Sequence, residues 1–198
     1  MAPPAAEIVR CFDGDARMRA YHDQEWGRPV LDERGLYERL CLEAFQSGIS
    51  WRIVLSKRDA LRRAFFNFEP EHVARFEQED VNRLMADPGV IRNRAKIEAA
   101  IANARAAVAL RDAGEPLPVL FWSFRPTPIP APETGADLPA STPASAALAA
   151  ALKRRGFRFV GPTTMYALMQ AAGLVNDHLA ACWVRRDVEQ AQLASGPS

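Results

Sequence analysis

Leu84-Met85-Ala86-Asp87-Pro88-Gly89-Val90-Ile91-Arg92-Asn93-Arg94-Ala95-Lys96-Ile97 is the stretch whose reading decides the fold. Val81, Leu84 and Met85 give one helix an apolar face, Pro88-Gly89 stops it, and a second helix opens with Arg92, Arg94 and Lys96 at its start. Free backbone N–H groups and the positive end of a helix suit an anion, and a DNA backbone is the natural ligand. Gly89, Arg92, Arg94 and Lys96 are therefore candidate DNA-binding residues, although a plain turn between two helices with basic neighbours would read the same way.

On the C-terminal side, Ile97, Ala100, Ile101, Ala104, Ala107 and Val108 keep one face apolar over about 93–113, with Gly114 as the stop. On the N-terminal side, Asp32 is placed to cap a helix reaching about 46, whose apolar face is Leu36, Leu40, Cys41 and Phe45. Gly48 breaks it, Ser50 caps the next, and Pro70 suits a first helical position. Further helices are expected from Thr142-Pro143 to Gly156, over about 162–172 and over 177–182. No convincing strand appears, so the expected fold class is all-α, a single helical domain over 9–186. Five prolines make 126–142 a surface loop without regular structure, and 1–8 and 187–198 read as disordered tails.

Composition excludes several classes. With 198 residues and 48% apolar side chains, the chain can bury a core without disulfide staples, and its three cysteines are odd in number and far apart. A cytoplasmic setting is expected, and charged residues interrupt every alanine-rich stretch before it could span a membrane. Net charge is only +1, yet 92–158 carries ten basic against five acidic residues, while 1–50 carries six against nine. This asymmetry could make one side of the molecule basic, but on charge alone a solvated surface of mixed charge is the better reading.

Two constellations carry chemistry. His178 and Cys182, four positions apart on an expected helical stretch, and Cys11 with His22 near the other end of the chain make a Cys2His2 set. Such a set can clip the two ends together as a structural metal site; two buried cysteines and two ordinary histidines would look alike on spacing alone. The second centres on Glu43, a carboxylate on the apolar side of its helix between Leu40 and Phe45, where it is costly without a partner. Tyr21, Trp26 and Trp51 flank it in sequence and could build an electron-rich slot for a flat cation, or simply be core.

Together these segments resemble the 3-methyladenine DNA glycosylase I family over most of the chain. The resemblance rests on Arg10-Cys11, Ala20-Tyr21-His22-Asp23-Gln24-Glu25-Trp26-Gly27, Cys41-Leu42-Glu43-Ala44-Phe45-Gln46-Ser47-Gly48-Ile49-Ser50-Trp51, Arg92-Asn93-Arg94-Ala95-Lys96-Ile97, Leu120-Phe121-Trp122-Ser123-Phe124, Lys153-Arg154-Arg155-Gly156-Phe157, Phe159-Val160-Gly161 and Gly173-Leu174-Val175-Asn176-Asp177-His178. It implies a helix-hairpin-helix fold, a structural zinc on Cys11, His22, His178 and Cys182, and a base pocket using Glu43, Tyr21, Trp26 and Trp51. The implied activity is excision of 3-methyladenine from alkylated double-stranded DNA by hydrolysis of the N-glycosidic bond, by a monomer that releases free 3-methyladenine. Glu43 is then the catalytic and base-recognising carboxylate, and Ile49 is the candidate wedge that fills the vacated stack. Asp13 and Met18 stand where the family usually has a tryptophan and a tyrosine. The aspartate that usually follows the hairpin in helix-hairpin-helix glycosylases has no counterpart here, since Ala100, Ile101, Ala102 and Asn103 offer no carboxylate. The alternative from another class is a non-catalytic zinc-containing DNA-binding module.

Overall fold

A computed structural model describes residues 8–195; residues 1–7, within the expected N-terminal tail, and the last three residues lie outside the described part. Ten α-helices follow one another: α1 (Ala16–Gln24), α2 (Glu33–Gln46), α3 (Trp51–Ala64), α4 (Pro70–Ala74), α5 (Gln78–Ala86), α6 (Arg94–Asp112), α7 (Leu117–Trp122), α8 (Pro143–Arg154), α9 (Pro162–Ala171) and α10 (Arg185–Ala194). Among the described residues there is no strand. Their starts follow local chemistry: the side chains of Asp32, Ser50, Asn93 and Thr142 accept from the backbone N–H three residues on, and Pro70, Pro143 and Pro162 open helices with fixed φ. Among the described residues no helix is long and apolar enough to cross a membrane.

α2 lies at the centre. Leu36, Tyr37, Leu40, Cys41, Leu42 and Phe45 are all essentially fully buried, and Tyr37 donates its hydroxyl across the core to the carbonyl of Ala100 in α6 (2.8 Å). Ten of its fourteen residues are buried, Glu38 and Glu43 among them, so this helix lies in the interior and carries Glu43 there.

α5, the turn over 87–93 and α6 form the expected helix, turn and helix, with one correction. Lys96 is buried, not aimed at solvent: its Nζ donates to the carbonyls of Phe45 (2.9 Å) and Ser47 (2.5 Å), satisfying the carbonyl end of α2. It ties the hairpin helix to the segment that follows Glu43 and so leaves the DNA-binding set. Replacing Lys96 with methionine should cost about 1.5–3 kcal/mol, the range for losing hydrogen bonds to a charged group, readable by urea unfolding with an unchanged m value.

Three further expectations give way. Residues 177–182 are an irregular turn, not a helix. Residues 187–194, expected as part of a tail, belong to α10, because Val188 is fully buried and the buried Gln192 donates to the carbonyls of Gly27 and Val175 (3.0 Å each). The sequence pattern missed this helix because Val188 is its one buried apolar side chain, while Leu193, the other large one, is exposed. Within the proline-rich loop, Gly135–Asp137 forms a short 3-10 turn, and the Pro132 carbonyl accepts from Ala180 N–H (2.8 Å), which anchors the loop to the 177–182 turn.

The chain after α1 packs closely on the end of α9. Gly27 N–H donates to the carbonyl of Gln170 (3.1 Å) and Val30 N–H to that of Ala172 (3.1 Å). Gly173 makes this approach possible: its φ is +80°, and a Cβ there would meet the Arg28 and Pro29 backbone at 2.6 Å. Trp26, on this segment, is thereby held between the two ends of the chain.

Candidate functional site

Cys11, His22, His178 and Cys182 converge as expected, with their ligand atoms all within 4.8 Å of one another. Cys11 precedes α1, His22 sits in its last turn, and His178 and Cys182 come from the irregular turn between α9 and α10, so it is the turn and not a helical face that brings that pair together. His178 Nδ1 lies 3.3 Å from Cys11 Sγ and 3.4 Å from Cys182 Sγ, and His22 Nε2 lies 3.5 Å from Cys182 Sγ. The other nitrogen of each ring is occupied: His22 Nδ1–H donates to Asp23 Oδ1 (2.8 Å) and His178 Nε2–H to the Trp26 carbonyl (3.0 Å). Both rings are thus held in the tautomer that turns a lone pair toward the cluster. Asp23 is itself fixed by Arg10, whose guanidinium holds its carboxyl well below the usual carboxylate range. Two thiol sulfurs and two oriented imidazoles in one compact group can hold a metal ion.

The cluster also supports a cavity. Phe12, next to Cys11, packs edge-on against His22 (centroids 5.0 Å apart) and Trp26 (5.4 Å), and Trp26 packs edge-on against His178 (4.6 Å). Beyond these rings opens a cavity of about 210 Å³ lined by Phe12, Met18, Tyr21, Trp26, Glu43, Gln46, Trp51, Ala167 and Gln170. Tyr21 and Trp51 form its other aromatic corner, their centroids 5.1 Å apart. The sequence had pointed to Tyr21, Trp26, Glu43 and Trp51. It did not point to Phe12, Gln46, Ala167 or Gln170: three of these have no distinguishing chemistry in the sequence, and Gln170 is brought in from the far end of the chain.

Glu43 is 5% exposed and has neither a salt bridge nor a hydrogen bond among the described residues. The arginines that might have neutralised it are taken: Arg58 pairs with Glu38 (2.8 Å) and Glu25 (2.7 Å), Arg62 with Glu38 (2.9 Å), and Arg39 with Glu25 (3.8 Å). Burial alone pushes the Glu43 carboxyl up to about 8. Trp51 Nε1–H is likewise buried without a partner. An unpaired carboxylate at the wall of a small aromatic cavity is costly on its own, and a ligand that donates to it would relieve that cost.

The remaining expected residues fall elsewhere. Ile49 is half-buried against the core in the turn between α2 and α3 and does not line the cavity. Arg92 and Arg94 are exposed beside the 87–93 turn, whereas the Gly89 N–H is taken by Asp87 Oδ1 (2.7 Å) and Lys57 Nζ donates to the Pro88 carbonyl (2.7 Å). The turn is therefore pre-shaped from within. A larger cavity of about 450 Å³ lies under the proline-rich loop between α9 and α10; its one fully buried carboxylate, Asp177, is already satisfied by Tyr166 and Gln170.

An all-helical domain that joins two distant segments through a Cys2His2 cluster thus sets an unpaired carboxylate in an aromatic cavity beside it, a site suited to a flat ligand that donates hydrogen bonds or carries positive charge. Residues 11–186 match the methyladenine glycosylase family, and the chain belongs to it. It is 49% identical over 165 residues to DNA-3-methyladenine glycosylase 1 of Escherichia coli K12, covering 82% of this chain and 88% of that protein. A crystal structure of a 3-methyladenine DNA glycosylase I superposes with a TM-score of 0.86 at 47% identity, covering 88% of this chain and 98% of the other. A second, of a variant in complex with 3-methyladenine, superposes with a TM-score of 0.83 at 32% identity, covering 87% and 94%.

Proposed function

We propose that the protein excises 3-methyladenine from alkylated double-stranded DNA by hydrolysis of the N-glycosidic bond, with the flipped base held in the cavity at Glu43. The observation that carries this reading is the unpaired buried carboxylate among aromatic faces; the relative solved with 3-methyladenine supports it. Methylation at N3 places a positive charge on the purine, so the base is already a good leaving group. What remains is to take the lesion out of the stack, at a cost of a few kcal/mol, and to hold it where unmodified adenine is refused. Tyr21, Trp26 and Trp51 offer electron-rich faces to the cation, and Glu43 accepts from the exocyclic amine or a protonated ring nitrogen. Ile49, at the turn that follows Glu43, is the wedge into the vacated stack. All the groups come from one chain, and we take the working unit to be a monomer in the cytoplasm.

In the same reading the metal is zinc, in a structural role. Zinc held at about 2.3 Å from sulfur and 2.0–2.1 Å from nitrogen would set sulfur and nitrogen donors roughly 3.5 Å apart, and the Cys11–His178, Cys182–His178 and Cys182–His22 separations of 3.3, 3.4 and 3.5 Å suit it. Four protein ligands leave no open position for substrate, so bound zinc would supply cross-linking and no chemistry at the base.

Duplex binding is assigned to the helix-hairpin-helix formed by α5, the 87–93 turn and α6. The first-turn N–H groups of α6 and the exposed Arg92 and Arg94 contact phosphate, irrespective of sequence. Arg92→Ala and Arg94→Ala should each weaken binding equally on all duplexes and flatten the salt dependence by about one unit of slope. Unchanged slopes in both would place the DNA elsewhere. The activity itself is tested by chromatography of bases released from methylated duplex. Free 3-methyladenine is the expected product, whereas tight binding without release identifies the non-catalytic DNA-binding module instead.

A further inference from the structure

Gln170 lines the base cavity from α9, facing Glu43 and Gln46 on α2. Its amide is not free to choose an orientation. Nε2–H donates to Asp177 Oδ2 (2.8 Å), and that same oxygen accepts the hydroxyl of Tyr166 (2.5 Å). Asp177 is 2% exposed, and a carboxylate oxygen cannot donate to the amide, so the NH2 end of Gln170 is tied back toward Asp177. The opposite end, Oε1, makes no hydrogen bond among the described residues, nor is it among the buried atoms lacking one, so it keeps an accessible face.

We infer that Gln170, oriented by Asp177, presents its carbonyl oxygen to the flipped base and makes the pocket selective for a purine bearing an amino group at C6 over one bearing an oxygen there. The inference rests on the function proposed above and adds a specificity residue to it. A 6-amino group has two N–H donors, which Glu43 and Gln170 Oε1 can share. With Glu43 ionised, a 6-oxo group would set an acceptor against both of those acceptors and leave them unsatisfied, the kind of mismatch by which buried hydrogen-bonding sites reject an analogue. Asp177 is a positioning residue in this arrangement: it touches no substrate and acts by preventing the Gln170 amide from turning over.

The test is titration of the purified, metal-loaded protein, above pH 8 where the Glu43 carboxylate is formed, with free 3-methyladenine and with 3-methylhypoxanthine, which differs in carrying oxygen at C6. The parent should prefer the amino purine, and Gln170→Met, which keeps length and loses the acceptor, should weaken 3-methyladenine binding by about 5- to 150-fold with little change for the oxo purine. Asp177→Asn can satisfy the Gln170 amide in either orientation, so it should narrow the preference mainly by improving 3-methylhypoxanthine binding, a change that loss of packing alone would not produce. It also decides the matter if Gln170→Met fails to fold. An unchanged preference in these variants, with Glu43→Gln weakened, overturns the role of Gln170 and leaves the function intact. A folded parent that binds neither purine overturns the function itself.

Discussion

Glu43→Gln is expected to melt several degrees above the parent at pH 7 while binding free 3-methyladenine more weakly. The Glu43 carboxyl sits at about 8 in the folded protein against an ordinary value of 4.5, because burial disfavours its charge and no cation compensates. Between those values the native state holds a proton that the unfolded state has released, so stability falls as pH rises from about 4.5 to about 8 and is lowest above that. Glutamine carries no such penalty. The variant should gain roughly 2–3 kcal/mol at pH 7, on the order of 5–10 °C in Tm, and the difference should vanish near pH 4. Thermal melts at several pH values read this directly.

The functional side of the same substitution is a loss. An amide has one acceptor where a carboxylate has two charged ones, so affinity for 3-methyladenine should drop. Affinity in the parent should rise with pH up to about 8 as the carboxylate forms, and this dependence should disappear in the variant. Excision should fall by well under the ~10⁴-fold upper range for loss of an essential general acid or base, since the cationic purine needs little protonation to leave. A variant that binds the base like the parent yet has no excision activity would move Glu43 from recognition to direct chemistry.

The second large effect belongs to Cys182→Ser. The Cys11–His178 contact spans 167 residues, and a clip that closes so long a loop removes much of the unfolded chain's freedom. By analogy with a disulfide over a comparable loop, the variant should lose roughly 3–5 kcal/mol together with its metal, and a chelator should bring the parent down to the same stability. Elemental analysis and melts with and without chelator check both. A metal-free parent whose stability matches that of the variant would dismiss the site. The residue types offered a structural clip, whereas spacing alone fitted ordinary cysteines and histidines equally well; in the fold the cluster adjoins the cavity, because Phe12 rests on His22 and Trp26 on His178 while both line it. Base affinity should therefore weaken in Cys182→Ser although every cavity residue is intact.

Legibility in the sequence followed the range of the interactions involved. Caps such as Asp32, Ser50, Asn93 and Thr142, and the apolar period of α2 and α6, act within a few residues, so most helices and their limits could be read from the chain alone. The four cluster residues and Glu43 were visible because their chemistry is conspicuous: thiols and imidazoles in pairs, and a carboxylate on an apolar face. Residue type did not reveal direction. Lys96 looks like any other basic residue at a helix start, and only the arrival of the α2 carbonyl end above it turns it from a phosphate contact into a buried cap. α10 becomes a helix worth forming only where Gly27 and Val175 wait for Gln192. Phe12 and Gln170 become cavity walls only when chain segments about 158 positions apart are folded together. Local hydrogen bonds and periodicity are written along the chain, whereas the partner of a buried polar group is chosen by whichever distant segment packs against it, and that choice belongs to the tertiary structure.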